Sequence, residues 1–148
     1  MKVARLSATA KLPVRGSEGA AGFDLFANER TIIPASVVRD GRVDIGHALV
    51  PTGIAICLPE GHVGRIGSRS GLSVAKNIEV GAGWIDRDYR GEIKVELKNL
   101  SSHDFIVDAA ARIAQLFILS VATPDLEETN ALPPSTRGAG GFGSTGMR

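Results

Sequence analysis

Eighteen glycines and seven prolines are spread through 148 residues, and they cut the chain into short runs rich in β-branched side chains. Glycine and proline are the strongest local breakers of regular structure, and between them no long segment keeps a 3.6-residue apolar period. Residues 91–99, GEIKVELKN, alternate strictly instead. Ile93, Val95 and Leu97 face one way, while Glu92, Lys94, Glu96 and Lys98 face the other. Residues 36–45, SVVRDGRVDI, read as a hairpin that turns at Asp40 and Gly41, where positive φ is wanted. Further strands are expected over residues 53–58, 62–66, 105–107 and 114–121, and about two turns of helix around residues 71–77. Many short strands at this spacing predict an all-β, jelly-roll-like barrel or sandwich with one short helix.

A chain of this length suits one domain with a real core. Its 43% hydrophobic and 22% charged residues exclude a disordered polar chain. No apolar run approaches the ~18 residues of a membrane span, and the first sixteen residues show no apolar stretch of a secretion signal. A cytoplasmic protein without a membrane partner is therefore expected. The single cysteine, Cys57, excludes an internal disulfide and fits a reducing compartment. His47, His62 and His103 stand far apart, without metal-ligand spacing. A net charge of +1 argues against a general nucleic-acid surface, so an anionic ligand would have to be met by local arginines. Residues 1–122 read as the core. Residues 123–148 read as an extended lead and a Gly-rich arm of the same domain.

Five stretches can carry chemistry. In residues 21–27, AGFDLFA, Asp24 stands among apolar neighbours, either as a hydrogen-bond acceptor at a strand end or in an anion-and-metal site. Residues 64–73, GRIGSRSGLS, offer an anion nest before a helix start, or a helix capped by Ser70 beside an exposed Arg69. Residues 81–91, GAGWIDRDYRG, read as a hairpin carrying Asp86, Asp88 and Tyr89. Gly83 and Gly91 there let backbone approach a flat ligand closely. An aspartate is ionised at neutral pH and can take a proton from water. In residues 112–116, RIAQL, Gln115 interrupts the apolar pattern and needs polar partners. Residues 137–148, RGAGGFGSTGMR, match G-x-G-x-x-G. Only Gly146, Met147 and Arg148 follow, too few for the helix that motif requires.

In this order the five stretches resemble the five motifs of the trimeric dUTPase family over nearly the whole chain. The resemblance implies a β jelly-roll homotrimer with three active sites at subunit interfaces and exchange of the C-terminal arms. It implies Mg²⁺-dependent hydrolysis of dUTP to dUMP and pyrophosphate, which keeps uracil out of DNA and supplies dUMP for thymidylate synthesis. Asp86 then matches the base that activates water for attack on the α-phosphorus, and Tyr89 the aromatic under the deoxyribose. Gly83, Trp84, Ile85 and Lys94 would meet the uracil edge. Arg69, Ser70, Gly71 and Gln115 match contacts to the phosphates. In the arm, Arg137 would clamp the γ-phosphate, Phe142 would stack on uracil, and Gly143, Ser144 and Thr145 would close over the triphosphate. Asp24 would touch Mg²⁺ through water, the ion being held mainly by the phosphates. Residues 117–136, fully extended, would span ~60 Å and let the arm reach a neighbouring subunit.

Three features depart from that pattern. Ser68 stands where the second motif usually has proline, and the loop over residues 39–47 is longer than usual. Glu96 occupies the place of a catalytic glutamate in the related dCTP deaminases, which raises a deaminase or bifunctional enzyme as an alternative. Those deaminases carry arginine where this chain has Val74. A nucleotide-controlled binding protein on the same fold is the non-enzymatic alternative, disfavoured by the presence of Asp86, Tyr89 and the arm. If Glu96 is only a charge neighbour of Lys94 or Lys98, it has no chemical role.

Overall fold

The computed structural model describes residues 1–141, and among them the chain forms thirteen strands and one helix. In chain order these are β1 (Lys2–Arg5), β2 (Phe23–Phe26), β3 (Thr31–Ile33), β4 (Val37–Arg39), β5 (Arg42–Asp44), β6 (Gly46–Pro51) and β7 (Ile54–Cys57). There follow β8 (His62–Gly67), α1 (Ser70–Lys76), β9 (Ile78–Val80), β10 (Trp84–Ile85), β11 (Lys94–Asn99), β12 (Phe105–Val107) and β13 (Arg112–Ser120). Four strands pair in the order β10-β8-β13-β2 and three in the order β6-β11-β9. The remaining pairs are β1-β7, β12-β3 and β4-β5. The architecture is a jelly-roll-like sandwich, all antiparallel, whose ladders do not run into a closed barrel.

One core lies between the two larger sheets. Leu25, Ile66, Ile113, Ala114 and Leu116 from the first meet Val50, Ile78, Val95 and Leu97 from the second in a single buried cluster. The alternation in residues 91–99 holds: Ile93, Val95 and Leu97 are buried, whereas Lys94 is exposed and Glu96 and Lys98 are half-buried. The turn at Asp40 and Gly41 also holds, with φ of 49° and 74° and Val38 opposite Val43. All six residues of that hairpin's strands are exposed.

The structure corrects four expectations. Ser70 does not cap α1; it is the first helical residue, and Arg69 occupies the cap position without a side-chain bond. The last strand starts two residues early, at Arg112, because a bulge between Arg112 and Ala114 buries both Ile113 and Ala114. Beyond Ser120, among the described residues, only Val121 is still tied to the core, its N–H donating to the Gly61 carbonyl at 2.9 Å. Residues 122–136 are exposed and carry no strand or helix. Because residues 117–120 belong to β13, the free stretch reaches about 50 Å rather than 60 Å.

The fourth correction matters most. Residues 81–91 do not form a hairpin with paired arms. The outgoing arm, β10, pairs with β8, with Trp84 opposite Arg65 and Ile85 opposite Gly64. The returning arm bonds elsewhere. Ile93 N–H donates to the Ile54 carbonyl at 2.8 Å, and Thr52 Oγ1 donates to the Ile93 carbonyl at 2.5 Å. Gly53 N–H meets Glu92 Oε1 at 2.9 Å. The two arms are held apart.

Asn99, fully buried at the end of β11, fastens the far side of the fold. Its Nδ2 donates to the carbonyls of Ile33 (3.1 Å) and His103 (2.8 Å), and its Oδ1 accepts from Ser101 N–H (3.0 Å) and Oγ (2.7 Å). Asn99→Ala strands several of these groups, each costing ~1–3 kcal/mol when left unpaired. Equilibrium urea unfolding is expected to show a loss of about 3 kcal/mol. A loss below half of that would show that water replaces the amide.

Candidate active site

Where the arms of the 81–91 excursion part, a cleft of about 320 Å³ opens. Ile66, Ile85 and Ile93 supply apolar walls, and Asp86, Tyr89 and Lys94 stand along its lining. The Gly83 carbonyl is used by Ile66 N–H at 2.7 Å. Successive residues of a strand direct their backbone groups to opposite edges, so Trp84 turns its N–H and C=O away from β8, toward the cleft. A flat ligand can pair with such an edge as a partner strand would.

Two glycines shape this cleft for steric reasons. A Cβ on Gly83 would lie 2.6 Å from the Ile66 carbonyl oxygen, so a side chain there would push β10 off β8. On Gly91 a Cβ would strike the Tyr89 ring, with Cζ only 2.6 Å away. Tyr89 lies over Gly91 and donates its hydroxyl to the Glu92 carbonyl at 3.0 Å, which fixes the ring against the returning arm. Asp86 and Tyr89 are joined by a turn, Tyr89 N–H to the Asp86 carbonyl at 3.2 Å. Asp86 is exposed, and its carboxylate accepts no hydrogen bond among the described residues. Trp84, the single tryptophan, is 65% exposed with the Arg65 guanidinium 5.0 Å from its ring centre.

A second group of predicted residues gathers on β2 and β13. Asp24 is 4% exposed, yet both of its oxygens face arginines: Oδ1 lies 3.4 Å from Arg69 Nε and Oδ2 lies 3.3 Å from Arg112 Nη1. Arg69 Nη1 also donates to the Arg112 carbonyl at 3.1 Å. The bulge explains Arg112. It is the register partner of Phe26, on the same face of β2 as Asp24, so its guanidinium reaches along the strand to the carboxylate. Gln115 stands directly opposite Asp24 on one side and Gly67 on the other. Ser70 and Gly71 are exposed at the start of α1, and the space beside Gly71 is open, so nothing steric demands glycine there.

The structure thus brings Gly83, Trp84, Ile85, Asp86, Tyr89 and Lys94 to one cleft, and Asp24, Arg69 and Gln115 to one anion-ready patch beside Ser70 and Gly71. It does not bring the two groups together. Strands β10 and β2 are opposite edges of the four-stranded sheet, about 14 Å apart at ~4.8 Å per strand spacing. Arg137 donates to the Gly140 carbonyl at 2.8 Å, within its own segment. Phe142, Gly143, Ser144 and Thr145 lie outside the described residues.

Sequence reasoning missed the residues that support these groups. Glu96 lies beside Lys98 on one face of β11, but its carboxylate has further partners. Its Oε2 accepts Ala82 N–H at 2.6 Å and its Oε1 lies 3.4 Å from His47 Nδ1, which holds the outgoing arm at the mouth of the cleft. Glu79 accepts from Ser68 Oγ at 2.5 Å and from Ser73 Oγ. An alternating strand shows which residues face outward, but not which loop will lie against them.

These features define a jelly-roll β protein with a split-arm cleft and a separate arginine-carboxylate patch. The family model described as dUTPase matches residues 8–146. Over 99% of this chain and 89% of its own length, the deoxyuridine 5′-triphosphate nucleotidohydrolase of Yarrowia lipolytica is 46% identical. The enzyme of that name from Paramecium bursaria Chlorella virus 1 is 45% identical over 98% of this chain and 96% of its own. Among solved structures, the Staphylococcus bacteriophage 80alpha dUTPase with dUPNHPP superposes with a TM-score of 0.85 at 28% identity, covering 98% of this chain and 97% of its own. The chain belongs to the dUTPase family.

The two serine hydroxyls, Ser68 first and Ser73 second, hold the Glu79 carboxyl below its ordinary value of 4.5, against a smaller opposing effect of burial. A lowered folded value means that the stabilisation is fully present above about pH 4.5 and disappears as pH falls through the folded value. Glu79→Gln is therefore expected to flatten that acid limb in thermal melts recorded from pH 7 to pH 3. An unchanged limb would show that the bonds do not distinguish the two protonation states.

Proposed function

We propose that the protein hydrolyses dUTP to dUMP and pyrophosphate. The observation that carries this reading is the open cleft between the split arms, with Asp86 and Tyr89 in its lining, in a chain of the dUTPase family. Uracil enters between the arms and pairs with the backbone edge that Trp84 leaves free, flanked by Gly83 and Ile85 and near Lys94. Cytosine presents its donors and acceptors reversed and would leave several groups unpaired at ~1–3 kcal/mol each. The methyl of thymine would collide with the arm. Tyr89 lies under the deoxyribose, where a 2′-hydroxyl has no room.

Asp86 accepts a proton from the attacking water as its oxygen bonds to the α-phosphorus. The bond from that phosphorus to the α–β bridging oxygen breaks, and pyrophosphate leaves with the electron pair. General-base help of this kind is worth ~10²–10⁴-fold. Arg69, Ser70, Gly71 and Gln115 bind the phosphates, and Arg137, Phe142, Gly143, Ser144 and Thr145 close over the nucleotide. Among the described residues no three acidic, histidine or cysteine side chains converge on a metal position, and both Asp24 oxygens face arginines. Such a site suits Mg²⁺ that arrives chelated by the triphosphate, where it would neutralise charge on the leaving pyrophosphate, with Asp24 reached through water.

A homotrimer with sites between subunits fits the separation of the two groups. A nucleotide seated beyond the β10 edge points away from the β2 edge of its own sheet. The phosphate-binding group then comes from a second copy, and the exposed stretch of residues 122–136 gives the arm its reach.

Asp86→Asn keeps size and hydrogen bonding but cannot take the proton. We expect kcat to fall by ~10²-fold or more with nucleotide binding retained; near-parent pyrophosphate release would remove Asp86 from this role. Removing residues 137–148 is expected to leave the fold and the assembly intact while most turnover is lost, with Phe142→Ala milder. Sedimentation velocity alongside steady-state kinetics checks both halves. Full activity without the arm would overturn its part in closure, and dissociation to monomers would make the arm structural.

A further inference from the structure

Helix α1 starts without the usual support. Its cap position, Arg69, makes no side-chain capping bond, no acidic residue occupies its first turn, and none of its seven residues is buried. The first N–H groups of any helix lack intrahelical partners, and so short a helix gains little from propagation. Something else must fix the direction of residues 69–71.

Two hydroxyls bracket this start, Ser68 just before Arg69 and Ser73 within α1, and both donate to one carboxylate. Ser68 Oγ meets Glu79 Oε2 at 2.5 Å, and Ser73 Oγ meets Glu79 Oε1. Ser68 Oγ also accepts Val80 N–H at 2.8 Å, so its donor and acceptor capacity both serve the same clasp. Glu79 itself is fixed from below, because β9 is in ladder register with β11, Glu79 opposite Lys98. The far end of Arg69 is tied separately, to Asp24 and to the Arg112 carbonyl. The backbone of the turn is therefore anchored through Glu79, and its long side chain through Asp24.

We propose that Glu79, acting through Ser68 and Ser73, is a positioning residue that sets the orientation of Arg69, Ser70 and Gly71 toward the substrate's phosphates. The proposal rests on the reading of those three residues as phosphate contacts. None of Ser68, Ser73 and Glu79 lines the base cleft, so the clasp bears first on the phosphate end of the ligand.

The test compares two probes, dUMP and the non-hydrolysable dUpNHpp, by quenching of the single tryptophan, Trp84, in the parent, Ser68→Ala, Glu79→Gln and Ser68→Thr proteins. Loss of one or two charge-assisted bonds is expected to weaken dUpNHpp about tenfold in Ser68→Ala and Glu79→Gln. Binding of dUMP stays within about twofold, and Ser68→Thr, which keeps the hydroxyl, behaves like the parent. In turnover the two disrupted variants raise KM for dUTP more than they lower kcat. If dUpNHpp affinity is unchanged in both disrupted variants, or if dUMP and dUpNHpp weaken together, the clasp does not position the phosphate contacts. A parent that binds dUpNHpp no more tightly than dUMP would instead overturn the phosphate reading of residues 69–71, and the clasp's role with it.

Discussion

Everything at the base cleft depends on which neighbour captures the backbone of Ile93. In a tight hairpin that residue would pair across to β10. Here Thr52 and Ile54 take its carbonyl and N–H, Gly53 takes the Glu92 side chain, and the Ile93 side chain sinks into the core at 2% exposure. Each such bond nets only ~0.5–1.5 kcal/mol, but together with the buried isoleucine they outweigh a two-residue cross-strand ladder. The consequence is an unpaired backbone edge held open by the body of the protein. A backbone edge is rigid and directional, so on the proposed function it would recognise a base without spending side-chain entropy.

The patch on β2 and β13 is organised by the opposite device, a buried charge. Asp24 sits under 4% exposure and is tolerable there because two guanidinium groups share it. The pairing works in both directions. Asp24 is neutralised, while Arg69 and Arg112, otherwise free to sweep through solvent, are held in fixed positions on one face of β2 and β13. The bulge in β13 makes this possible, since an unbroken ladder would place Arg112 in a different register against β2.

The strands were legible in the sequence wherever burial is one-sided. The alternation of Ile93, Val95 and Leu97 needed no tertiary information, and neither did the turn chemistry of Asp40 and Gly41. Asp86, Tyr89 and the two glycines stood out in the sequence as one loop, and the structure sets Gly83, Asp86 and Tyr89 along one cleft with Gly91 under the Tyr89 ring. What stayed hidden was long-range. Nothing near Thr52 signals that it will draw Ile93 away, across forty-one positions, and nothing near Glu79 signals two serines in a loop that folds back on it. Arg112 was visible as an arginine at a strand start, but its aim depends on a bulge that leaves no mark in composition. Burial pattern is written locally, whereas partner choice is written by the whole fold.

The exposed stretch from residue 122 to residue 136 has a consequence for how the arm competes for an occupied site. A segment on a leash of this length meets its target at a local concentration in the millimolar range, independent of how dilute the protein is. Contacts that would be negligible for a free peptide are then enough to populate a closed form. The leash also forgives changes in length, because doubling a flexible loop costs only ~0.6 kcal/mol, while Pro124, Pro133 and Pro134 keep it from collapsing on itself. If the arm closes as proposed, a weak, glycine-rich cover would let product go quickly and still be present for the next substrate, since covalent continuity supplies what affinity does not.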